Sequence, residues 1–168
     1  MNAYEDGTIY EFEEKPKKPK STLASMGIYV FSWDKLKKYL TEDEANPDSS
    51  NDFGKNIIPL MLGQGETLKV YRFNDYWKDV GTVDSLWDAN LDLLNPKIDL
   101  NLSDKNWKIY SRSNSEPPQY VSDTACVVNS LVTDGCEIYG SIDYSVLFEN
   151  VTAEEGASVE YSLAMPGA

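Results

Sequence analysis

The sequence predicts an α/β domain followed by the first turns of a parallel β-helix. Up to residue 95, short β-forming runs and amphipathic helical runs follow one another, which is the pattern of an α/β fold. A polar stretch bounded by prolines covers residues 96–120, and we expect a linker there. In residues 121–168, apolar side chains recur six residues apart between small turn residues. We therefore expect the α/β domain at 1–95 and the β-helix at 121–168.

Three strands are expected in the α/β part. Residues 7–16, GTIYEFEEKP, alternate apolar and polar side chains up to Pro16, which cannot continue a ladder. Residues 23–31, LASMGIYVF, form a continuous apolar run, which favours a strand covered on both faces. Residues 67–73, TLKVYRF, are also rich in β-formers and predict the third strand.

Three helices complete the predicted order, which is strand, strand, helix, helix, strand, helix. Ser32 can cap a helix over residues 32–40. Asp52 can cap a second helix over residues 53–62, although Pro59 makes its middle uncertain. Thr82 can cap a third helix. The apolar stripe of this third helix consists of Val83, Leu86, Trp87, Leu91 and Leu94.

The six-residue step carries the β-helix prediction. Val132 and Ile138 are six apart, and so are Leu147, Ala153 and Val159. In a triangular coil every sixth residue returns to the same face, so these side chains are expected to share one core. The alternative is a set of short antiparallel hairpins.

Composition limits the functions that the chain can perform. Its 168 residues carry a net charge of −13, from 28 acidic and 15 basic side chains. This charge argues against a nucleic-acid partner and against an anionic membrane surface. No apolar run approaches the roughly 20 residues that span a bilayer, so we expect a cytoplasmic protein. There is no histidine, which excludes a Cys/His zinc site and any histidine-activated nucleophile.

Asp79 lies where a predicted strand ends and a helix begins, within YWKDVGT at 76–82. In open α/β sheets, ligands bind beyond the carboxyl ends of the strands, and a carboxylate there can hold Mg²⁺ together with phosphates. The alternative is a turn residue just outside the helix that Thr82 caps. On these residues alone, the turn is favoured.

Glu14 and Lys15 lie at the end of the first predicted strand. A lysine there can pair with a phosphate, and the glutamate beside it can accept hydrogen bonds from sugar hydroxyls. A solvated charge cluster is the alternative. Ser25 is either a polar group directed into a pocket or a hydroxyl at a strand start, and Asp52 is explained as a helix cap.

Several segments, taken together and in order, resemble the bacterial glucose-1-phosphate adenylyltransferases. They are EFEEKP, SMGIYVF, DFGKNIIP, YWKDVGTVDSLWDANLDLL and WKIYSR…PPQY, followed by the hexapeptide repeats. The resemblance implies the second half of a Rossmann-like nucleotidyltransferase domain, followed by a left-handed parallel β-helix. It also implies a reaction in which ATP and glucose 1-phosphate give ADP-glucose and pyrophosphate for glycogen synthesis.

The resemblance also implies roles for individual residues. Asp79 would be a ligand of the catalytic Mg²⁺, and Lys15 would contact the phosphate of glucose 1-phosphate. These two are the expected catalytic residues. The remaining residues expected at the glucose 1-phosphate site are Glu14, Ser25, Asp52, Phe53 and Trp77.

Two features expected of the family do not occur in the sequence: the glycine-rich nucleotide loop and a first metal-binding aspartate. We therefore expect an internal fragment that is inactive alone and that forms homo-oligomers. The alternatives are a non-catalytic regulatory or assembly subunit of the same family, or a nucleotidyltransferase for another sugar phosphate. The presence of both Asp79 and Lys15 favours a catalytic parent enzyme.

Overall fold

A computed structural model describes residues 1–112 and 114–168. The chain divides into two units, Met1–Phe73 and Asn74–Ala168. The stretch that carries Asp79 therefore belongs to the same unit as the C-terminal repeats. The domain boundaries expected from the sequence, at residues 95 and 120, stay a prediction.

The first unit contains a small hairpin and two helices. Strand β1 (Asn2–Ala3) pairs antiparallel with β2 (Ile9–Glu11). Helix α1 (Trp33–Glu44) begins after Ser32, as predicted, but runs beyond residue 40 and receives no hydrogen bond from the Ser32 side chain. A π-helical turn (Phe53–Ile57) leads into α2 (Ile58–Gly63).

Pro59 does not break the second predicted helix. It lies in the first turn of α2, where a missing N–H costs nothing because that group has no partner inside the helix. The predicted helix at 53–62 is therefore confirmed, with a π-helical first turn. Asp52 caps it as expected, since its Oδ1 accepts a hydrogen bond from the Lys55 N–H at 2.8 Å.

The strand predicted at 23–31 is wrong. Those residues form no strand pairing in the part of the chain that the structure describes, and Val30 is 98% exposed. An apolar run becomes a strand only where a second backbone lies beside it to exchange hydrogen bonds. The strand predicted at 67–73 is reduced to a single bridge between Lys69 and Thr8, with the Ile9 N–H donating to the Leu68 carbonyl at 2.9 Å.

The core of the first unit lies between the helices. Tyr39, Ile57 and Met61 are buried and contact one another, and Phe31 and Leu68 pack against them from the sides. The Tyr39 hydroxyl donates to Glu66 at 3.2 Å. Burial raises the pKa of Tyr39, so the phenol stays protonated and its hydrogen bond is kept at neutral pH.

The C-terminal repeats form a parallel β-helix, as predicted. Nine short strands build three parallel sheets, each with three strands. They are β3 (Tyr120–Val121), β4 (Cys126–Val128), β5 (Leu131–Val132), β6 (Glu137–Ile138), β7 (Ser141–Asp143), β8 (Val146–Leu147), β9 (Thr152–Ala153), β10 (Ser158–Glu160) and β11 (Leu163–Ala164). All pairings between these strands are parallel, so the hairpin alternative is wrong.

The six-residue step marks the core of this coil. Ile138, Leu147 and Ala153 are buried in one cluster, and Val132 and Val159 pack against its edge. Each coil is shorter than three full steps of six, since Ser141 pairs with Cys126 on one side and with Ser158 on the other. The turns at the corners of the coil therefore vary in length, while the inward-facing residues remain in one core.

Helix α3 (Val83–Leu91) packs on this β-helix. Thr82 and Ser85 form a capping box at its start, which confirms the predicted cap. The predicted apolar stripe holds only towards the C-terminal end, where Leu91 and Leu94 are buried against Val146. Val83 is 82% exposed. The helices that the structure describes are all too short or too polar to span a lipid bilayer.

Candidate functional site

In the first unit, Glu14 lies against the start of the π-helical turn. Its carboxylate comes so close to Gly54 that a Cβ on that residue would lie 2.6 Å from Glu14 Oε2. The same Cβ would lie 3.4 Å from Oδ1 of Asp52, the cap residue. Glycine at position 54 leaves room for this approach, so Glu14 and Asp52 both lie beside the start of the π-helical turn.

Phe53 connects this contact to Ser25 through Tyr29. The rings of Phe53 and Tyr29 stack with centroids 5.8 Å apart and an interplanar angle of 19°. The Tyr29 hydroxyl and Ser25 Oγ are 2.9 Å apart, and the Gly27 N–H donates to the same Ser25 Oγ at 3.2 Å. Four of the residues predicted from the sequence, Glu14, Asp52, Phe53 and Ser25, therefore form one continuous group.

Lys15 lies at the outer edge of this group. Its side chain is 91% exposed, and its Nζ is 3.7 Å from Glu14 Oε1. Its backbone φ of 46° is in the left-handed region, which non-glycine residues adopt rarely and at some cost. The ammonium group is thus held loosely, by one long ion pair, and can be reached from solvent.

The close contact at Gly54 gives a testable prediction. Gly54→Ala is expected to push the Glu14 carboxylate away, because the new methyl group takes its place. The free energy of unfolding should change by less than about 1 kcal/mol, since Glu14 is the end of a flexible chain and alanine favours the helix. The ¹³C shift of the Glu14 carboxyl measures the displacement, and thermal unfolding measures stability.

Gly63→Ala is the matched control, because a Cβ at Gly63 meets nothing within 4 Å. It should leave the Glu14 resonance unchanged. An unchanged Glu14 resonance in Gly54→Ala as well would contradict the close approach.

In the second unit, Asp79 forms a turn. Its Oδ1 accepts a hydrogen bond from the Gly81 N–H at 3.1 Å, which is the local role that the sequence suggested as the alternative. The Asp79 side chain is nevertheless exposed, and Trp77 is 46% exposed two residues earlier. Within the residues that the structure describes, no lysine or arginine forms an ion pair with Asp79.

Tyr76 and Lys78, on either side of Trp77, have a different environment. Lys78 Nζ lies 2.5 Å from Asp88 Oδ2 and 2.7 Å from Asp92 Oδ2, and the Tyr76 hydroxyl donates to Asp92 at 2.8 Å. The hydrogen bonds to Asp88 and Asp92 raise the pKa of Lys78, and the Lys78 ammonium lowers the pKa of Asp92. Burial is the main cause that raises the pKa of Tyr76. All three groups therefore keep their neutral-pH charge states over a wide pH range.

Sequence reasoning missed Tyr29, Tyr76 and Lys78. In the sequence, Tyr29 is one of several apolar residues in a predicted strand. Its neighbours in the sequence do not indicate that it contacts Ser25 and Phe53. Lys78 and Asp92 are both charged residues that a pattern assigns to solvent. Their spacing along a loop and the following helix could have suggested the ion pair, but not its partial burial.

Comparison with known proteins confirms the resemblance that the motifs indicated. The nucleotidyl transferase family model matches residues 1–96, and the GlmU-like C-terminal hexapeptide model matches residues 117–168. Proteins named glucose-1-phosphate adenylyltransferase from Bacillus cereus, Bacillus mycoides and Bacillus anthracis are each 56% identical to this chain over all of its 168 residues. The chain spans 45% of the length of each of these relatives. Since the nucleotidyl transferase model covers more than half of the sequence, the chain belongs to the nucleotidyl transferase family.

Proposed function

We propose that this chain supplies the glucose 1-phosphate site and one Mg²⁺ ligand of an enzyme that makes ADP-glucose and pyrophosphate from ATP and glucose 1-phosphate. The observation that carries the proposal is the continuous group formed by Glu14, Asp52, Phe53, Tyr29 and Ser25. The names of the relatives support glucose 1-phosphate as the substrate and transfer of an adenylyl group as the reaction.

This group offers what a sugar phosphate requires. The stacked rings of Tyr29 and Phe53 provide an apolar surface beside polar groups, which suits a sugar because its C–H faces and its hydroxyls need different neighbours. The Glu14 carboxylate can accept hydrogen bonds from hydroxyls, and Ser25 Oγ can exchange them. Lys15, exposed at the edge of the group, can bring its charge to the phosphate.

The proposed reaction needs no protein nucleophile. A phosphate oxygen of glucose 1-phosphate attacks the α-phosphorus of ATP, a new P–O bond forms, and the bond to the leaving pyrophosphate breaks. The protein then has to orient the two phosphates in line and offset their negative charge. Lys15 would do this for the sugar phosphate, in agreement with a sequence that has no histidine.

Asp79 fits the requirements of a Mg²⁺ ligand. Magnesium keeps much of its water and is held by few protein carboxylates together with substrate phosphates. Asp79 is exposed and uses one oxygen for the Gly81 N–H. Within residues 1–112 and 114–168, no group of three or more acidic or thiol side chains could hold a metal, so Asp79 would supply a single ligand of the ion. When bound, the ion would neutralise phosphate charge.

The proposal is tested in a chimera that carries this chain in place of the aligned segment of the Bacillus cereus relative. We expect the chimera to form ADP-glucose. Lys15→Ala should raise the KM for glucose 1-phosphate by about 10- to 100-fold, because a charge-assisted contact to the phosphate is lost. The KM for ATP should change much less.

Lys17→Ala is the matched control, since Lys17 is exposed, lies two residues further along and forms no ion pair among the described residues. The chain by itself is expected to release no pyrophosphate. An unaltered KM in Lys15→Ala would refute the assigned phosphate contact. A chimera that prefers another sugar phosphate, or one without activity, would favour the alternative functions instead. The expected homo-oligomer and the cytoplasmic location stay predictions.

A further inference from the structure

Lys78 ties the segment that carries Trp77 and Asp79 to helix α3. Its Nζ lies between the carboxylates of Asp88 and Asp92, at 2.5 and 2.7 Å. The Lys78 side chain is 26% exposed and that of Asp92 is 18% exposed. A fully exposed ion pair contributes little, but this one joins two carboxylates and is partly shielded from water.

Tyr76 makes the same connection from two residues earlier. Its hydroxyl donates to Asp92 Oδ2 at 2.8 Å, so residues 76 and 78 both contact one side chain of α3 or its following turn. Tyr76 and Lys78 are thus both held on Asp92, whereas Trp77 and Asp79, which follow each of them along the chain, are exposed.

The helix that receives these contacts is itself held by the β-helix. The Trp87 indole N–H donates to the Tyr161 carbonyl at 2.8 Å. Leu91 and Leu94 are buried against Val146. The segment at 76–79 is thus joined to the β-helix through α3, with Lys78 as its charged link.

We propose that Lys78 is a positioning residue, which holds the backbone at 77–81 so that Trp77 and Asp79 face away from α3 with a fixed orientation. The importance of that orientation for catalysis rests on the proposed function. The positioning itself does not, and it is measured separately in the chain as it stands.

The test is ¹⁵N relaxation of the chain and its Lys78→Met variant. Methionine keeps most of the length of the side chain and removes its charge. We expect the amide order parameters at 77–81 to fall from about 0.85 to below about 0.6, while those of 84–91 in α3 stay unchanged. Lys78→Arg should restore the higher values, because a guanidinium can bind both carboxylates. Lys97→Met, at an exposed lysine without an ion pair among the described residues, should have no effect.

Unchanged order parameters at 77–81 in Lys78→Met would overturn the proposal. If Lys78→Met also loosens α3, Asp92→Asn decides, because it removes the charge that Lys78 contacts just beyond the end of α3 and keeps the shape of the side chain. Asp92→Asn must lower the order parameters at 77–81, and values equal to those of the original chain would overturn the positioning role.

In the chimera, Lys78→Met should raise the Mg²⁺ concentration for half-maximal activity by about tenfold, and Lys78→Arg should reverse this. If Asp79→Asn leaves the chimera active while Lys78→Met still loosens residues 77–81, the proposed function fails and the positioning inference stands. If Asp79→Asn abolishes activity and Lys78→Met loosens nothing, the positioning inference fails and the proposed function stands.

Discussion

Asp79→Asn in the chimera is expected to lower kcat for ADP-glucose formation on the order of 10²- to 10³-fold, the loss that follows removal of one group stabilising transition-state charge. Asparagine keeps the side-chain oxygen that accepts the Gly81 N–H, so the turn can remain intact. It removes the negative charge that a Mg²⁺ ligand requires. The substitution therefore separates the two interpretations of Asp79, the turn residue and the metal ligand.

The measurement is the rate of pyrophosphate release at a series of Mg²⁺ concentrations. The rate in Asp79→Asn should remain low even at high Mg²⁺. Asp84→Asn is the matched control, because Asp84 is also exposed, lies five residues further along and belongs to the first turn of α3. Removing its charge weakens only a favourable interaction with the helix dipole, worth about 0.3–1 kcal/mol of helix stability. Activity of Asp79→Asn within about twofold of the original chimera would leave the turn as the sole role of this residue.

Features defined within a few neighbouring residues could be predicted from the sequence. The caps formed by Thr82 and Asp52 depend on residues three apart in the sequence, and both occur in the structure. The β-helix is also a local signal, because each inward-facing residue, such as Leu147 or Ala153, is followed by the next at a regular step. For these elements, the spacing of residues along the chain is enough to define the structure.

Features that need a distant partner could not be predicted. The run at 23–31 has the composition of a buried strand, yet composition does not say whether another backbone lies beside it, and Val30 is almost fully exposed. The candidate sugar site also depends on residues that are distant in the sequence. Tyr29 stacks on Phe53, and Glu14 fills the space above Gly54, across long stretches of sequence. Only the resemblance to a family had suggested that Glu14, Ser25 and Phe53 belong together.

The largest effect on stability is expected from Leu147→Ala. Leu147 has no exposed surface, and its strand β8 is the central one of its sheet, between β5 and β11. Its side chain packs among Ile138, Ile142, Val151 and Ala153. Removing it leaves a cavity that short coils on both sides cannot close, so we expect a loss of about 2–5 kcal/mol in the free energy of unfolding of the β-helix. Hydrogen exchange of the Val146 and Phe148 amides measures this loss of stability within the β-helix itself.

Leu131→Ala is the matched control for this substitution. Leu131 lies in the neighbouring strand β5 and pairs with Val146, but its side chain is 42% exposed. The same change of chemistry should therefore cost about 1 kcal/mol or less, since little apolar surface is lost from the core. Val146, the neighbour of Leu147 in β8, contacts Leu91 and Leu94. A β8 loosened by Leu147→Ala should therefore also speed hydrogen exchange in α3, whereas Leu131→Ala, which leaves the core intact, should not. Equal losses in the two variants would mean that the inward face of the coil, on which α3 and the Asp79 segment depend, is not the stabilising core.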